Sequence, residues 1–269
     1  MRSTPALFLA ATLFPMALAP AVTRAAEQVV DPTIADAVHN ASRSAKFIAR
    51  DAARHPAEEL TFFGLRPDAT VVEIWPAGGY WSEILAAYLH GRGTYYAAVP
   101  SGPTGQKNAA AFRARVQADP VLFQRVGITE LGAGKTDIAP PGSADFVLTF
   151  RNIHNWMGNG TVDANFAAFY KALKPGGILG VEEHRGRIDQ PQDPKADNGY
   201  VREDYTIALA EKAGFKLVGR SEINANPKDT KDWPKGVWTL PPTFALGAQD
   251  HAKYAAIGEA DNFVLKFSK

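Results

Sequence analysis

The stretch over residues 70–89 constrains the fold more than any other part of the sequence. It reads TVVEIWPAGGYWSEILAAYL: an apolar run that contains the acid Glu73, a Pro/Gly turn, and a segment with helical apolar spacing. Strand, tight turn and helix in this order predict an open α/β sheet, in which the backbone N–H groups of the turn face a ligand. Gly78 and Gly79 allow the close backbone approach that such a ligand needs, although they also suit a simple turn.

The rest of the chain alternates between strand-like and helix-like segments. Strands are predicted at residues 93–99, 126–131, 144–150, 178–182, 215–223 and 262–267, and helices at 107–118, 163–173 and 200–213. This alternation predicts a doubly wound, mostly parallel α/β sheet of seven strands, with residues 262–267 as a last strand inserted at the edge. A chain of 269 residues with 46% hydrophobic content can bury one large core, so one domain suffices.

The first 26 residues have the features of a secretory signal peptide. Arg2 precedes an apolar run over residues 6–19, and small residues around Ala21 and Ala25 offer a cleavage site. Because the run is short for a membrane span, we expect residues 27–269 to form an exported, periplasmic domain without a membrane span. An uncleaved N-terminal anchor is the alternative.

Residues 27–66 are expected to form a helical cover over the active edge of the sheet. An Asp-Pro pair at residues 31–32 predicts a helix start, and further helices are expected at 42–53 and 56–64. A charged cluster precedes the third helix, and it suits either a solvated salt-bridge surface or a cover over a ligand crevice. Its members are Arg50, Asp51, Arg54 and His55.

Residues 224–246 form a long, proline-rich segment that contains Trp233, Trp238 and Phe244. Long loops in compact domains are usually functional or mobile. We interpret this segment as a lid whose aromatic side chains contact a hydrophobic or aromatic substrate. The alternative is a surface excursion that packs against the sheet edge.

The net charge argues against a nucleic-acid partner. The formal charge is only +1, and the six histidines are scattered along the chain. A nucleic-acid-binding domain usually shows a basic excess on one face. We therefore expect a small-molecule substrate and no nucleic acid; the oligomeric state is left open.

Four strings in a fixed order resemble one known family. They are VVEIWPAGGYWSEILAAYL, ADFVLTFRNIHNWM, ALKPGGILGVEEHR and LAEKAGFKLVGRSEI. Together they resemble the class I S-adenosylmethionine-dependent methyltransferases, and more narrowly an exported bacterial group with E-I-x-P-x-G-G-Y-W and a late W-x-L-P-P-T segment. The resemblance covers residues 45–269. It implies a Rossmann-like methyltransferase fold, S-adenosylmethionine as the cofactor, and methyl transfer to a small molecule.

The resemblance also implies which residues bind the cofactor. They lie in the turn after the first strand and at the end of the fourth: Glu73, Pro76, Gly78, Gly79, Tyr80 and Asn152. The chain departs from the family pattern at Trp75 and Ala77, where the family has glycine. It also lacks the acid that binds the ribose after the second strand, since Pro100 ends that strand.

The missing acid favours a second function. Losing a charged hydrogen bond to a ligand hydroxyl costs on the order of 1.5–3 kcal/mol. In addition, a cofactor made in the cytoplasm is not expected outside it. A non-catalytic periplasmic ligand-binding protein on the methyltransferase scaffold is therefore the alternative.

The candidate catalytic residues are His154, after the fourth strand, and Glu182 and His184, at the end of the fifth. Methyl transfer requires an aligned acceptor and, where needed, a base. An imidazole titrates near neutral pH, so we predict His154 as the base, with Glu182 or His184 assisting; packing and salt-bridge roles are the alternatives. The same three side chains also suit a divalent transition metal, an alternative that we keep open without predicting a metal.

Overall fold

The computed structural model describes residue 1, residues 29–103 and residues 105–269. The predicted signal peptide, apart from Met1, lies outside the described residues. In the part of the chain that is described, no helix has the length and apolar character needed to cross a membrane.

Seven strands form one sheet in the described residues. They are β1 (Thr70–Ile74), β2 (Thr94–Pro100), β3 (Val126–Leu131), β4 (Ala144–Phe150), β5 (Leu173–His184), β6 (Lys216–Ser221) and β7 (Asn262–Ser268). The strand order is β3-β2-β1-β4-β5-β7-β6, and the strands from β3 to β5 run parallel. This confirms the predicted mostly parallel seven-stranded sheet.

The last strand, β7, lies inside the sheet, between β5 and β6, and runs antiparallel to both. The sequence analysis placed it at the edge, but β6 is the edge strand. Burial agrees with this order: residues 262–265 of β7 are all buried, whereas β6 alternates between exposed and half-buried residues. The pairing of β7 with both β5 and β6 leaves it no free edge, whereas β6 pairs only with β7.

Helices cover both faces of the sheet. They are α1 (Pro32–Val38), α2 (Ala45–Ile48), α3 (Asp51–Arg54), α4 (Pro56–Phe63), α5 (Tyr80–Leu89), α6 (Gln106–Ala118), α7 (Ile153–Asn159), α8 (Val162–Ala172), α9 (Glu203–Lys212) and α10 (His251–Ile257). Helices α1, α4, α5 and α6 pack on one face, and α7, α8 and α9 pack on the other.

The expected helix over residues 42–53 is two short helices, α2 and α3. Arg43 lies beside them and donates to Val38 O (2.6 Å) and to the Asp51 carboxylate (2.7 Å). Ser44 donates from its backbone N and its Oγ to the carboxylate of Glu83 on α5. Phe47 packs edge-on against Tyr80 with ring centroids 5.8 Å apart. The N-terminal helices are thus fastened to the helix that follows β1.

The turn between β1 and α5 contains three residues with positive φ. Gly79, the N-cap of α5, has φ 92°, which only glycine adopts without strain. Trp75 and Ala77 both have φ 48°. Non-glycine residues in this region cost on the order of 1 kcal/mol or more and concentrate at functional sites.

Candidate functional site

A cavity of about 330 Å³ opens at the carboxyl ends of β1, β4 and β5. Doubly wound sheets bind their ligands at this edge. Its walls come from the turn after β1, the ends of β2, β4 and β5, the start of α7, and the segment 237–243. The lining residues used below are Arg50, Trp75, Ala77, Asn108, Phe150, Arg151, Asn152, His154, Asn155, His184 and Trp238.

A second cavity of about 450 Å³ lies next to the first, at the ends of β2 and β3. Trp75, Pro100, Asn108 and Asn155 line both cavities. The Trp75 indole donates from Nε1 to Leu131 O at the end of β3 (3.2 Å). Trp75 therefore forms the wall between the two hollows.

His154, the predicted base, lines the first cavity and is held by Glu183. Its Nδ1 lies 3.0 Å from Glu183 Oε1, and its Nε2 lies 3.0 Å from Asn155 Nδ2. A carboxylate only accepts and the amide NH₂ only donates. This pairing fixes a neutral imidazole with the proton on Nδ1 and the lone pair on Nε2.

Glu183 is fully buried and is saturated by hydrogen bonds. Besides the imidazole, it accepts from the backbone N–H groups of Ile153 (2.6 Å), His154 (3.3 Å) and His184 (2.8 Å). These donors lie at the start of α7 and at the end of β5. The carboxylate therefore fixes the ends of two neighbouring elements as well as the histidine ring.

His184 is a second neutral imidazole in the cavity wall. Its Nδ1 lies 2.7 Å from Asn262 Oδ1, an acceptor, so Nδ1 carries the proton. Its ring centroid lies 5.5 Å from that of His154. Burial and the neighbouring charge of Arg151 hold the pKa of His184 well below its usual value, so it stays neutral at pH 7.

The structure does not bring the predicted Glu182 to the cavity. Successive side chains of a strand point to opposite faces, and Glu182 lies on the α4 side, with Glu183 on the α7 side. Asn224 Nδ2 donates to Glu182 Oε1 (3.3 Å) and to Glu59 Oε2 (2.7 Å). Burial raises the pKa of Glu182 to about 7 and that of Glu59 well above its usual value. The carboxylate that lies near both histidines is Glu183.

Glu73, predicted to bind the cofactor, points into the core. Its Oε2 accepts from Ser82 Oγ (2.7 Å) and from Tyr95 OH (2.5 Å), and the residue is 2% exposed. Burial raises its pKa to about 7 despite these hydrogen bonds. Glu73 therefore fixes β1, β2 and α5 to one another.

The other predicted cofactor residues are divided between the cavity and its support. Asn152 lines the cavity and donates from Nδ2 to Ile74 O (3.0 Å). Pro76, Gly78, Gly79 and Tyr80 are not among its lining residues. A Cβ at Gly78 would contact Phe47 at 3.7 Å, and Tyr80 OH donates to Asp51 (2.7 Å). The turn thus meets the N-terminal helices on this side.

A cluster of arginines lies beside the cavity and is centred on Glu259. Arg50 binds this carboxylate with two parallel hydrogen bonds of 2.7 Å, and Arg151 Nη1 donates to it at 3.1 Å. Arg54 Nε lies 3.6 Å from the same carboxylate. Arg50 thus lines the cavity and is also part of a salt-bridge cluster, so it combines features of the two settings that the sequence left open.

The segment 224–246 supplies part of the cavity wall and is firmly anchored. Val237, Trp238 and residues 241–243 line the cavity, and the Trp238 ring meets the His154 ring edge-on, with centroids 6.0 Å apart. Asp229 accepts from Tyr200 OH (2.9 Å) and Trp233 Nε1 (2.6 Å). The segment therefore covers the site while its base is fixed to the domain.

Sequence reasoning missed the roles of Glu183, Asn262 and Glu259. The only local signal for Glu183 was that neighbouring residues of a strand point to opposite faces of the sheet. This alternation does not show which of the two faces carries His154. Asn262 and Glu259 come from the far end of the chain. Their contribution depends on the place of β7 in the sheet.

Solved structures share this fold at low sequence identity. A S-adenosylmethionine-dependent methyltransferase from Aquifex aeolicus superposes with a TM-score of 0.55 and 15% identity, over 82% of this chain and 92% of that one. The [4+2]-cyclase SpnF superposes with a TM-score of 0.57 and 15% identity, over 85% of this chain and 84% of that one. No protein-family model and no curated protein sequence matches the chain. The comparisons confirm the Rossmann-like methyltransferase fold.

Proposed function

We propose that the protein is a S-adenosylmethionine-dependent methyltransferase that acts on a small molecule in the periplasm. The observation that carries the proposal is the cavity at the strand ends, which His154 lines with its Nδ1 held by Glu183 and its Nε2 beside the Asn155 amide. The shared fold supports the proposal. One of the neighbours is a cyclase, because the same fold can carry different reactions.

The two cavities suit S-adenosylmethionine in their position and in their volume. The hollows of about 330 and 450 Å³ match the usual volume of a small-molecule site. Trp75 lines both and offers an aromatic surface to a nucleobase, and Asn108 and Asn155 offer amide groups to a nucleoside. These contacts would replace the missing carboxylate after β2.

The mechanism assigns one task to each part of the site. When bound, the cofactor supplies an activated methyl group for in-line displacement. His154 Nε2 takes the proton of the acceptor once the acceptor displaces the Asn155 amide from it. Glu183 holds the proton of the free imidazole on Nδ1 and stabilises the imidazolium that forms. Trp238 and the residues that follow it exclude water from the reacting groups.

Titration calorimetry of residues 27–269 tests the proposal. We expect saturable heat with S-adenosylmethionine and S-adenosylhomocysteine. Ala77→Leu, which fills the cavity wall, should weaken both by at least about tenfold, or 1.4 kcal/mol. Ala110→Leu, on the exposed face of α6, is the matched control and should bind as the wild type does.

The alternative, a non-catalytic ligand-binding protein, is favoured by two observations. No carboxylate follows β2, and Glu73 is buried against Ser82 and Tyr95. Under this alternative neither cofactor form produces heat. A reporter enzyme that is active only outside the cytoplasm, fused after residue 30, tests the proposed export separately.

A further inference from the structure

The titratable residues that line the 330 Å³ cavity are two arginines and two histidines. Arg50 and Arg151 line it together with the two histidines, and none of its described lining residues is a carboxylate. Cavities lined by one sign of charge raise the local concentration of ligands of the opposite sign. The lining therefore favours an anionic ligand.

Both arginines keep donors for such a ligand. Arg50 uses Nε and Nη2 on Glu259, and Arg151 uses Nη1. Within residues 29–103 and 105–269, no hydrogen bond involves Arg50 Nη1 or Arg151 Nη2. The side chains of Arg50 and Arg151 are 22% and 15% exposed. Each guanidinium thus has one edge fixed and one nitrogen available.

The carboxylates nearby do not neutralise the arginines. Arg50, Arg54 and Arg151 share the single carboxylate of Glu259. Glu182 lies 4.0 Å from Arg151 Nε but is only partly ionised at neutral pH, since burial raises its pKa to about 7. A positive excess remains at the cavity wall.

The same charges argue against a metal ion at the two histidines. A cation there would lie close to Arg151, whose charge already disfavours protonation of His184. The nearest carboxylate, Glu183, is occupied by three backbone N–H groups and one imidazole. The geometry suits a proton acceptor beside an anion better than a cation site.

We propose that the methyl acceptor is a small organic anion. Its carboxylate or similar oxyanion binds Arg50 Nη1 and Arg151 Nη2, and its apolar part packs against Phe150 and Trp238. Charge-assisted hydrogen bonds to arginine are the strong ones, and the aromatic lining residues provide apolar contact area. This inference rests on the proposed function and names the substrate class of the same site.

The cofactor also carries a carboxylate, so the experiment separates the two sources. Calorimetry with benzoate and with benzamide, which has the same shape without the charge, measures recognition of an acceptor-like anion. Calorimetry with S-adenosylhomocysteine and with 5′-methylthioadenosine, which lacks the amino-acid carboxylate, measures recognition of the cofactor's anion. Both pairs are titrated into residues 27–269.

The variants are Arg50→Gln, Arg151→Gln and the charge-preserving Arg151→Lys. We expect benzoate to bind at least about tenfold more tightly than benzamide, and each Gln variant to weaken benzoate about tenfold to a hundredfold. Arg113→Gln, an exposed arginine paired with Glu130 on the surface, should change nothing. Melting temperatures check folding. If a Gln variant does not fold, Arg151→Lys replaces it in the test and should bind benzoate more weakly than the wild type does.

Three results would overturn the inference. In the first, the wild type binds benzoate and benzamide equally; in the second, it does not bind benzoate at all. Alternatively, the Gln variants weaken S-adenosylhomocysteine but neither benzoate nor 5′-methylthioadenosine, which assigns the arginines to the cofactor. If the wild type does not bind S-adenosylhomocysteine, the proposed function is refuted instead. The benzoate titration is independent of that outcome.

Discussion

Glu73 is a carboxyl group that the fold keeps in its interior. Its folded-state pKa of about 7 lies above the usual value in an unfolded chain, about 4.3. Between these values the folded state binds more protons than the unfolded state. Its contribution to stability is therefore fully present at low pH and is lost as the pH rises through 7.

Replacing Glu73 with Gln should remove this pH dependence. The amide oxygen can still accept from Ser82 and Tyr95, and there is no charge to bury. The free energy of unfolding of Glu73→Gln, relative to the wild type, should rise by about 2–3 kcal/mol between pH 5 and pH 8. Urea unfolding at both pH values measures it. The same change at the exposed Glu211 should give no such difference; a constant offset for Glu73→Gln would contradict the assignment.

Glu183 should contribute to the stability of the fold as well as to the orientation of His154. Glu183→Ala leaves three backbone N–H groups and one imidazole N–H without their acceptor. Buried unpaired donors cost about 1–3 kcal/mol each, so we expect a loss of at least about 3 kcal/mol in the free energy of unfolding. Glu183→Gln keeps one acceptor oxygen and should lose less. Glu58→Ala, on an exposed position, is the control, and equal losses at residues 58 and 183 would be unexpected.

At the scale of single residues, the sequence identified the types of group in the site better than their partners. His154 and His184 both line the cavity, as expected from their place at strand ends. The choice between Glu182 and Glu183 required knowledge of which face carries α7. Asn262 required the pairing of β5 with β7, which is a long-range contact.

At the scale of elements, α2 shows how a very short helix can be fixed in place. Its residue Phe47 is 7% exposed and covers the turn at Gly78, while the next residue, Ile48, is 43% exposed. Phe47 and Ile48 are adjacent in the chain, so substitutions at the two positions can be compared directly. One packs against the turn that follows β1, and the other faces solvent.

Phe47→Ala should cost about 3–5 kcal/mol in the free energy of unfolding, because it removes a buried ring. Ile48→Ala should cost less than about 0.5 kcal/mol. Urea unfolding of both variants measures the difference. Hydrogen exchange at Tyr80 should speed up only in Phe47→Ala; similar losses for both variants would mean that the helix does not cover the turn.

Elements with strong local patterns were predicted well. The alternation of strands and helices gave all seven strands, and most residues of β1, β2, β4 and β7 are buried in the sheet. The short helices at residues 45–54 and 153–159 were joined or missed. Their ends are set by partners far away in sequence, such as Glu83 for Ser44 and Glu183 for Ile153.

At the scale of the whole molecule, Glu259 connects distant parts of the chain. Its carboxylate binds Arg50, 209 positions away, and Arg151, 108 positions away. Glu259→Gln would leave three guanidinium groups without the carboxylate that they share. Breaking a buried ion pair in this way costs about 3–5 kcal/mol.

Chemical denaturation should therefore show a large loss for Glu259→Gln. The control is Glu222→Gln, since Glu222 pairs with Arg185 but is 69% exposed; exposed pairs contribute about 0–1 kcal/mol. We expect the first variant to be the less stable by at least about 2 kcal/mol. Comparable stabilities would show that the arginine cluster contributes little to the fold.

The position of Arg50 has a consequence for the lifetime of the protein. An anion bound by both Arg50 and Arg151 would link the N-terminal helices to the sheet for as long as it stays bound. Proteases that attack the N-terminal segment when it detaches would then cut the occupied protein more slowly than the empty one. Substrate supply would set the rate at which the protein is degraded.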